Sequence, residues 1–304
     1  MYAIETHGLT KRFRDQSAIA HLDLAVSHGE AFGFLGPNGA GKSTTIALFL
    51  DFLRPDAGTA RIDGYDVTDE PLRVRERVGI VPERCGLYPR LTAREHVSFV
   101  IAARSGDGSP DDLLERVGLA HAADNRTRTF STGMAQRLRL AMALAGDPDV
   151  LILDEPTTGL DPAGVRLLSE ILTTARDAGT TIFFSSHRLE QVAAICDRIG
   201  ILVDGRLRAC EPTTGTVRPI LRVTLGAVDE EIVATLTDHD AVTGQPMVRE
   251  SANQVVIDCG ITDDAARTTI KSQLEDHTAV AAVSIDHVSL EDRYHSVVEG
   301  VRCA

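Results

Sequence analysis

Apolar residues fall along this chain in two rhythms. Three short blocks have almost no polar break: Ala31-Phe32-Gly33-Phe34-Leu35, Val150-Leu151-Ile152-Leu153 and Thr181 to Phe184. Such runs predict strands buried on both faces, the habit of a central parallel sheet. Other stretches repeat at helical spacing. Ile46, Phe49, Leu50 and Leu53 predict a helix that Pro55 and Gly58 end. TAREHVSFVIAARSG and DDLLERVGLAHAAD carry the same period, and Thr92 with Glu95 three residues on reads as a capping box. Leu138, Ala141, Met142 and Ala145 extend the helical pattern to about residue 144.

Beyond about residue 212 the pattern changes. ILRVTL predicts a strand, DEEIVATLTD a helix, PMVRE and QVVIDC a hairpin, DDAARTTIKSQLED a helix, AVAAVSI a strand and SLEDRYHSVVEG a closing helix. That order, βαββαβ plus a helix, suggests a small ferredoxin-like α+β sandwich. The expected organisation is one α/β domain over 1–212, with a helical stretch at about 91–144, and an accessory domain over 213–304.

Composition narrows the class. A length of 304 residues accommodates one large domain and one smaller. The hydrophobic share of 43% and mean hydropathy of −0.03 suit a chain with a proper core. No apolar run reaches the roughly 18 residues of a membrane span, and MYAIETHGLTKRF holds no signal-peptide apolar region. Cys85, Cys196, Cys210, Cys259 and Cys303 are scattered without CxxC pairing, which fits reduced thiols in a cytoplasmic protein. Net charge is −13; residues 213–304 hold 15 acidic against 7 basic side chains, and residues 1–212 hold 29 against 24. Neither part has the positive excess that phosphate contacts with nucleic acid require. His277, His287 and His295 have no metal-ligand spacing and are expected at the surface.

The densest chemistry lies in FLGPNGAGKST. Gly36-Pro37-Asn38-Gly39-Ala40-Gly41-Lys42-Ser43 matches G-x-x-x-x-G-K-[ST] in full, between an expected strand and an expected helix. Glycines let backbone N–H groups ring phosphates, and the helix start adds donors and a favourable dipole. Lys42 reaches the outer phosphates; the Ser43 hydroxyl is placed to ligate Mg²⁺. It is notable company for a rare residue, since Lys11, Lys42 and Lys271 are the chain's lysines. A loop of this kind suits kinases, GTPases and ATPases alike.

The second half decides among them. Asp154-Glu155 closes the apolar strand of DVLILDEPTTGLDP, where one carboxylate can hold Mg²⁺ and its neighbour can polarise an attacking water. Ser131-Thr132-Gly133 opens another helix and offers a second anion site. One nucleotide has no use for two such cradles in one domain, so a second copy packed head to tail is expected to use it. Ser185-Ser186-His187 puts an imidazole at the edge where strand tips meet ligand.

Taken together the pieces resemble the ATP-binding subunit of an ABC transporter. GPNGAGKST resembles its Walker A loop, FSTGM its signature, LILDEP its Walker B strand, GLDP its D-loop and SSH its switch histidine, in family order over about residues 2–212. The resemblance implies a P-loop NTPase domain whose 91–144 stretch is the helical subdomain. It implies hydrolysis of ATP with Mg²⁺, in a homodimer, coupled to separate transmembrane permease subunits. Gly36, Pro37, Asn38, Gly39, Ala40, Gly41, Lys42, Ser43 and Thr44 would bind the phosphates, and Ser43, Asp154 and Glu83 the metal. Glu155 would be the catalytic base, and His187 would contact the γ-phosphate. Ser131 and Gly133 would touch the nucleotide held by the partner chain, and Asp161 would communicate across the seam. Phe13 would stack on adenine; the family more often has Tyr there, but stacking needs only a ring face. Such a subunit is cytoplasmic and reaches the membrane through the permease alone.

Two positions depart from the family pattern. The signature's usual leucine-serine-glycine-glycine-glutamine reads Phe130-Ser131-Thr132-Gly133-Met134, and Glu83 stands where glutamine is usual. PERCGLYP around Glu83 resembles the drug- and sodium-export branch, as does the SLED-plus-aromatic ending. Two other classes fit less well. Ribosome- or nucleic-acid-acting relatives resemble two fused ATPase domains or carry a long coiled coil, whereas this chain has one P-loop and an acidic balance. A small-molecule kinase has no need of Glu155 or of a second helix tip.

Overall fold

The computed structural model describes residues 2–14, 16–83, 86–104, 108–213, 219–226, 229–237, 239, 241–251, 254–261, 269–272, 274, 280–287 and 290–300. Contacts divide the chain into two compact units, Met1–Thr214 and Gly215–Ser296, with the residues from Val297 on counted with the first.

The first unit holds two sheets. One is antiparallel, in the order β2-β1-β4-β5, from β1 (Tyr2–Phe13), β2 (Gln16–Ser27), β4 (Ala57–Ile62) and β5 (Tyr65–Asp66). The other has six strands in the order β10-β9-β3-β8-β7-β6. Its members are β3 (Ala31–Leu35), β6 (Val78–Val81), β7 (Val150–Asp154), β8 (Thr181–Ser186), β9 (Arg198–Val203) and β10 (Arg206–Pro212). All its pairings are parallel except β9 with β10. As the unbroken apolar runs predict, every residue of β3, β7 and β8 is buried. Phe183 anchors the layer beneath, with ring centroids 5.2 Å from Phe34, 5.4 Å from Phe49 and 6.0 Å from Phe32.

Register sets up the site. Leu35 pairs with Ser186, and Asp154 pairs with Ser185, so the carboxyl ends of β3, β8 and β7 lie side by side. The glycine-rich loop, the Ser-Ser-His turn and the Asp-Glu pair therefore leave one sheet edge as neighbours. That is the edge where open α/β sheets take ligand.

The helices are shorter than the apolar periods suggest. α1 (Lys42–Phe49) stops before Leu53 because Asp51 turns left-handed at φ +53°, and the Phe52 and Leu53 amides reach back to Ala47 O. The expected 111–124 helix is α4 (Pro110–Arg116) followed by a 3-10 turn at Ala120–Ala122. Gly118 at φ +66° breaks it, while Leu119, Ala122 and Ala123 stay buried. α2 (Pro71–Arg77) precedes β6. α3 (Ala93–Ala103) has the expected capping box: Thr92 Oγ1 accepts from Glu95 N, and Thr92 N donates to Glu95 Oε2 at 2.7 Å. Arg104, past its end, ties this segment to the sheet by donating to Ala145 O and Val78 O. α5 (Thr132–Leu144) follows, then α6 (Pro162–Asp177) and α7 (Leu189–Ala193).

The second unit has one antiparallel sheet, β12-β13-β11-β14, from β11 (Pro219–Leu225), β12 (Val242–Ser251), β13 (Gln254–Ile261) and β14 (Val280–His287). α8 (Glu230–Thr237) joins β11 to β12, and the closing helix, Leu290–Gly300, begins in this unit. Of the helix expected over 263–276, residues 269–272 and 274 are described, and they are helical. Each strand–helix–strand crossover thus skips one strand. Leu221, Val223, Ile257 and Cys259 point into a core with Ile232 and Leu236 of α8. The surface placement expected of His277, His287 and His295 falls outside the described residues and side chains. Burial pushes the Cys259 thiol up to about 12 and raises Cys196 as well, so neither is a reactive thiolate.

Candidate functional site

Gly36–Ser43 links β3 to α1 and folds tightly against its surroundings. A Cβ on Gly36 would lie 2.4 Å from Leu202 O, and one on Gly41 would lie 2.5 Å from Ala18 O. Gly41 also caps α1 at φ +112°, a conformation only glycine adopts cheaply. Gly39, at φ +84°, has open space where its Cβ would stand. Pro37 O and Ala40 O accept from Ala40 N and Gly205 N, which fixes the loop's outer turn.

Lys42 reaches back along this loop. Its side chain is 7% exposed, and its ammonium donates to Gly36 O at 2.7 Å and Pro37 O at 3.3 Å and lies 3.7 Å from Glu155 Oε1. Burial lowers its pKa from the ordinary lysine value, while Glu155, Asp154 and Glu83 oppose that shift. Glu155 sits just past β7 at φ +48°, a strained backbone for a non-glycine residue. Two hydrogen bonds keep it there, from its amide to Ser185 O at 3.1 Å and to Ser185 Oγ at 3.3 Å. Both carboxylate oxygens lie 3.0 Å from His187 Nδ1, and Ser186 Oγ donates to Oε2 at 3.4 Å. An ionised Glu155 therefore fixes the imidazole proton on Nδ1. Asp154 is buried at the strand tip and accepts from Ser185 Oγ at 2.5 Å.

Other expected residues stand elsewhere. Ser131 caps α5, its Oγ accepting from Met134 N at 3.2 Å. Ser131, Thr132 and Gly133 line one open cleft with Gly159, Leu160 and Asp161. Asp161 caps α6 by accepting from Gly164 N at 2.8 Å. Glu83 is exposed and shares a second cleft with Glu155, Thr132, Gln136, Arg139 and Thr158. Phe13, at the end of β1, is 47% exposed and has Lys11 Nζ 5.7 Å above its ring. Lys11 is itself held by Arg54 O and Asp56.

Comparison with known proteins decides what this assembly belongs to. Residues 19–158 match the ABC transporter family. The daunorubicin/doxorubicin resistance ATP-binding protein of Streptomyces peucetius is 40% identical over 225 residues, 72% of this chain and 68% of that protein. The chain belongs to the ATP-binding proteins of ABC transporters. The bacitracin transport ATP-binding protein of Bacillus licheniformis is 39% identical over 207 residues, covering 67% of this chain and 68% of that one. A dimeric ATP-binding cassette, solved in a post-hydrolysis state bound to ADP and Pi, aligns with a TM-score of 0.65. It is 25% identical and covers 70% of this chain and all of that one. The present chain is thus an ATPase, the ATP-hydrolysing subunit of a transporter. Among the described residues no helix is long and apolar enough to cross a membrane.

The ATPase's residues suit a nucleotide with a divalent cation. A buried ammonium gains from a polyanion beside it, and Ser43 and Asp154 supply hard oxygen donors. Among the described residues no three His, Cys, Asp or Glu side chains form a metal cluster. A cation held here would need phosphate and water oxygens to complete its shell, as Mg²⁺ usually does. Sequence reading gave no role to Ser185, Ser186, Gln136 or Arg139. The two serines have a signal in retrospect: hydroxyls at the end of an apolar strand, both fully buried, must find partners.

Proposed function

We propose that this ATPase works as an ATP-closed homodimer that drives export through separate permease subunits, bound to the membrane's cytoplasmic face through them alone. The Lys42–Glu155–His187 contact set beside the Gly36–Ser43 loop carries the reading. Lys42, Ser43, Thr44 and the loop amides hold the triphosphate. A water attacks the γ-phosphorus in line, and the P–O bond to ADP breaks. Glu155 takes the water's proton. Because His187 Nδ1 is committed to Glu155, its Nε2 is the nitrogen left for a γ-phosphate oxygen. Ser43 and Asp154, with Glu83 nearby, would hold Mg²⁺, whose charge offsets that of the phosphates when bound. Phe13 serves as the adenine platform.

Ser131, Gly133 and Asp161 line a cleft apart from Lys42 and His187, which supports their use by the partner's nucleotide across a two-fold seam. Export is supported by relatives named for resistance and transport. Affinity purification of the tagged full chain is expected to recover multi-span membrane proteins. Recovery of ribosomal RNA with no membrane protein defeats the transport coupling.

Glu83→Gln is expected to retain ATP hydrolysis, because Gln keeps a carbonyl oxygen at this exposed position. Glu83 lines the cleft it shares with Glu155 and is the weakest of the three carboxylates acting on Lys42. A complete loss of phosphate release would mean that the carboxylate itself is a required metal ligand.

A further inference from the structure

The departure at Thr132 has a partner. Built on Gly159, a Cβ would lie 2.6 Å from Thr132 Cγ2 and 3.4 Å from Thr132 Cβ, so the threonine methyl already occupies that space. Gly159 stands at φ +80° in the GLDP turn. The contact continues along the helix, since a Cβ on Gly133 would meet Leu160 Cδ2 at 3.6 Å. The first turn of α5 therefore packs against Gly159 and the Leu160 side chain. Thr132 also lines both clefts, the one with Ser131 and Asp161 and the one with Glu155 and Thr158. From Gly159 back to Glu155 the chain is two linked turns, with Leu160 N bonded to Thr157 O and Thr158 N bonded to Glu155 O. Thr157 is pinned in turn by Gln191.

We infer that Thr132 is a positioning residue that couples the two nucleotide sites of the dimer. When Ser131 and Gly133 engage the partner's triphosphate, the threonine methyl carries the displacement of the helix tip into the turn. The turn resets the strained Glu155 of the same chain. A glycine at 132, usual in the family signature, has no side chain to make this contact. The inference rests on the dimer reading above.

The test is the ATP dependence of phosphate release by the full chain. Two coupled sites give a Hill coefficient of at most about 2. Thr132→Ser removes the methyl and keeps the hydroxyl; it is expected to lower the coefficient to about 1 and to lower kcat with it. Thr132→Val keeps the methyl and is expected to restore the parent's cooperativity, which a merely structural role for the hydroxyl would not do. Gly159→Ala is expected to fail alone and to recover in part with Thr132→Gly, since the new Cβ then fills the emptied place. A parent whose Glu155→Gln form stays monomeric with ATP overturns the dimer reading and this coupling with it. A dimerising parent whose Thr132→Ser variant keeps its Hill coefficient and kcat overturns the coupling alone.

Discussion

Glu155→Gln is expected to stop phosphate release almost completely while leaving ATP bound. Loss of a positioned general base costs about 10²- to 10⁴-fold, and the geometry leaves no ready substitute. His187 spends Nδ1 on Glu155, and Asp154 is buried and engaged by Ser185. The substitution keeps the shape of the side chain and the backbone conformation at φ +48°, so the strand tip should not collapse. It also removes a negative charge 3.7 Å from Lys42. The ammonium then faces the triphosphate without a competitor, so affinity for ATP should rise as turnover falls. Both effects push toward an accumulated ATP-loaded dimer. Size-exclusion chromatography with ATP and Mg²⁺ should show the variant at twice the parent's mass, with unhydrolysed nucleotide in the peak. Hydrolysis at the parent's rate sinks the assignment of Glu155 as base.

What the sequence made legible follows from how local each determinant is. The glycine-rich loop, the carboxylates of LILDEP and the Thr92–Glu95 capping box are all set by residues within a few positions of one another, and each stands in the structure where its spacing predicts. Buried strands β3, β7 and β8 were readable because nothing polar interrupts them. Strands β1 and β2 were not read, and their pairing explains why. Register shifts interrupt it, and Gly8 and His21 take left-handed angles, so β1 shows no clean two-residue period and that of β2 is confined to Leu22, Leu24 and Val26. The helix ends at Phe49 and Arg116 were overrun because single left-handed residues, Asp51 and Gly118, overrule an apolar period that continues past them.

The site divides along the same line. Residue types on the sheet edge were named from their motifs. What holds them was not, because those partners are remote in sequence. Ser185 reaches Asp154 across 31 positions, and Asp56 fixes Lys11, whose Nζ stands over the Phe13 ring, across 45. A pair such as Thr132 and Gly159 is invisible as a pattern. Only the folded backbone shows that one methyl occupies the other's missing side chain.

Lys42→Ala is the second substitution with a large expected effect, and it fails at an earlier step. Two opposing terms act on the unliganded fold. Removing the ammonium relieves a burial cost, seen in its lowered pKa. It also strips Glu155 of its buried cation and leaves Gly36 O and Pro37 O without their donor. These oppose each other, so the melting temperature should move by only a few degrees. Nucleotide binding has no such compensation. Truncating one partner of a desolvated charge contact costs about 2–5 kcal/mol, or roughly thirty- to several-thousand-fold in affinity. Lys42→Arg should not restore turnover, because a planar fork does not reproduce a point charge between two loop carbonyls. Titration with a fluorescent ATP analogue, alongside a melting curve, separates the two outcomes. Unchanged affinity in a folded Lys42→Ala protein would mean that the loop amides alone hold the phosphates. A collapse in melting temperature would mean that Lys42 serves the fold before it serves the nucleotide.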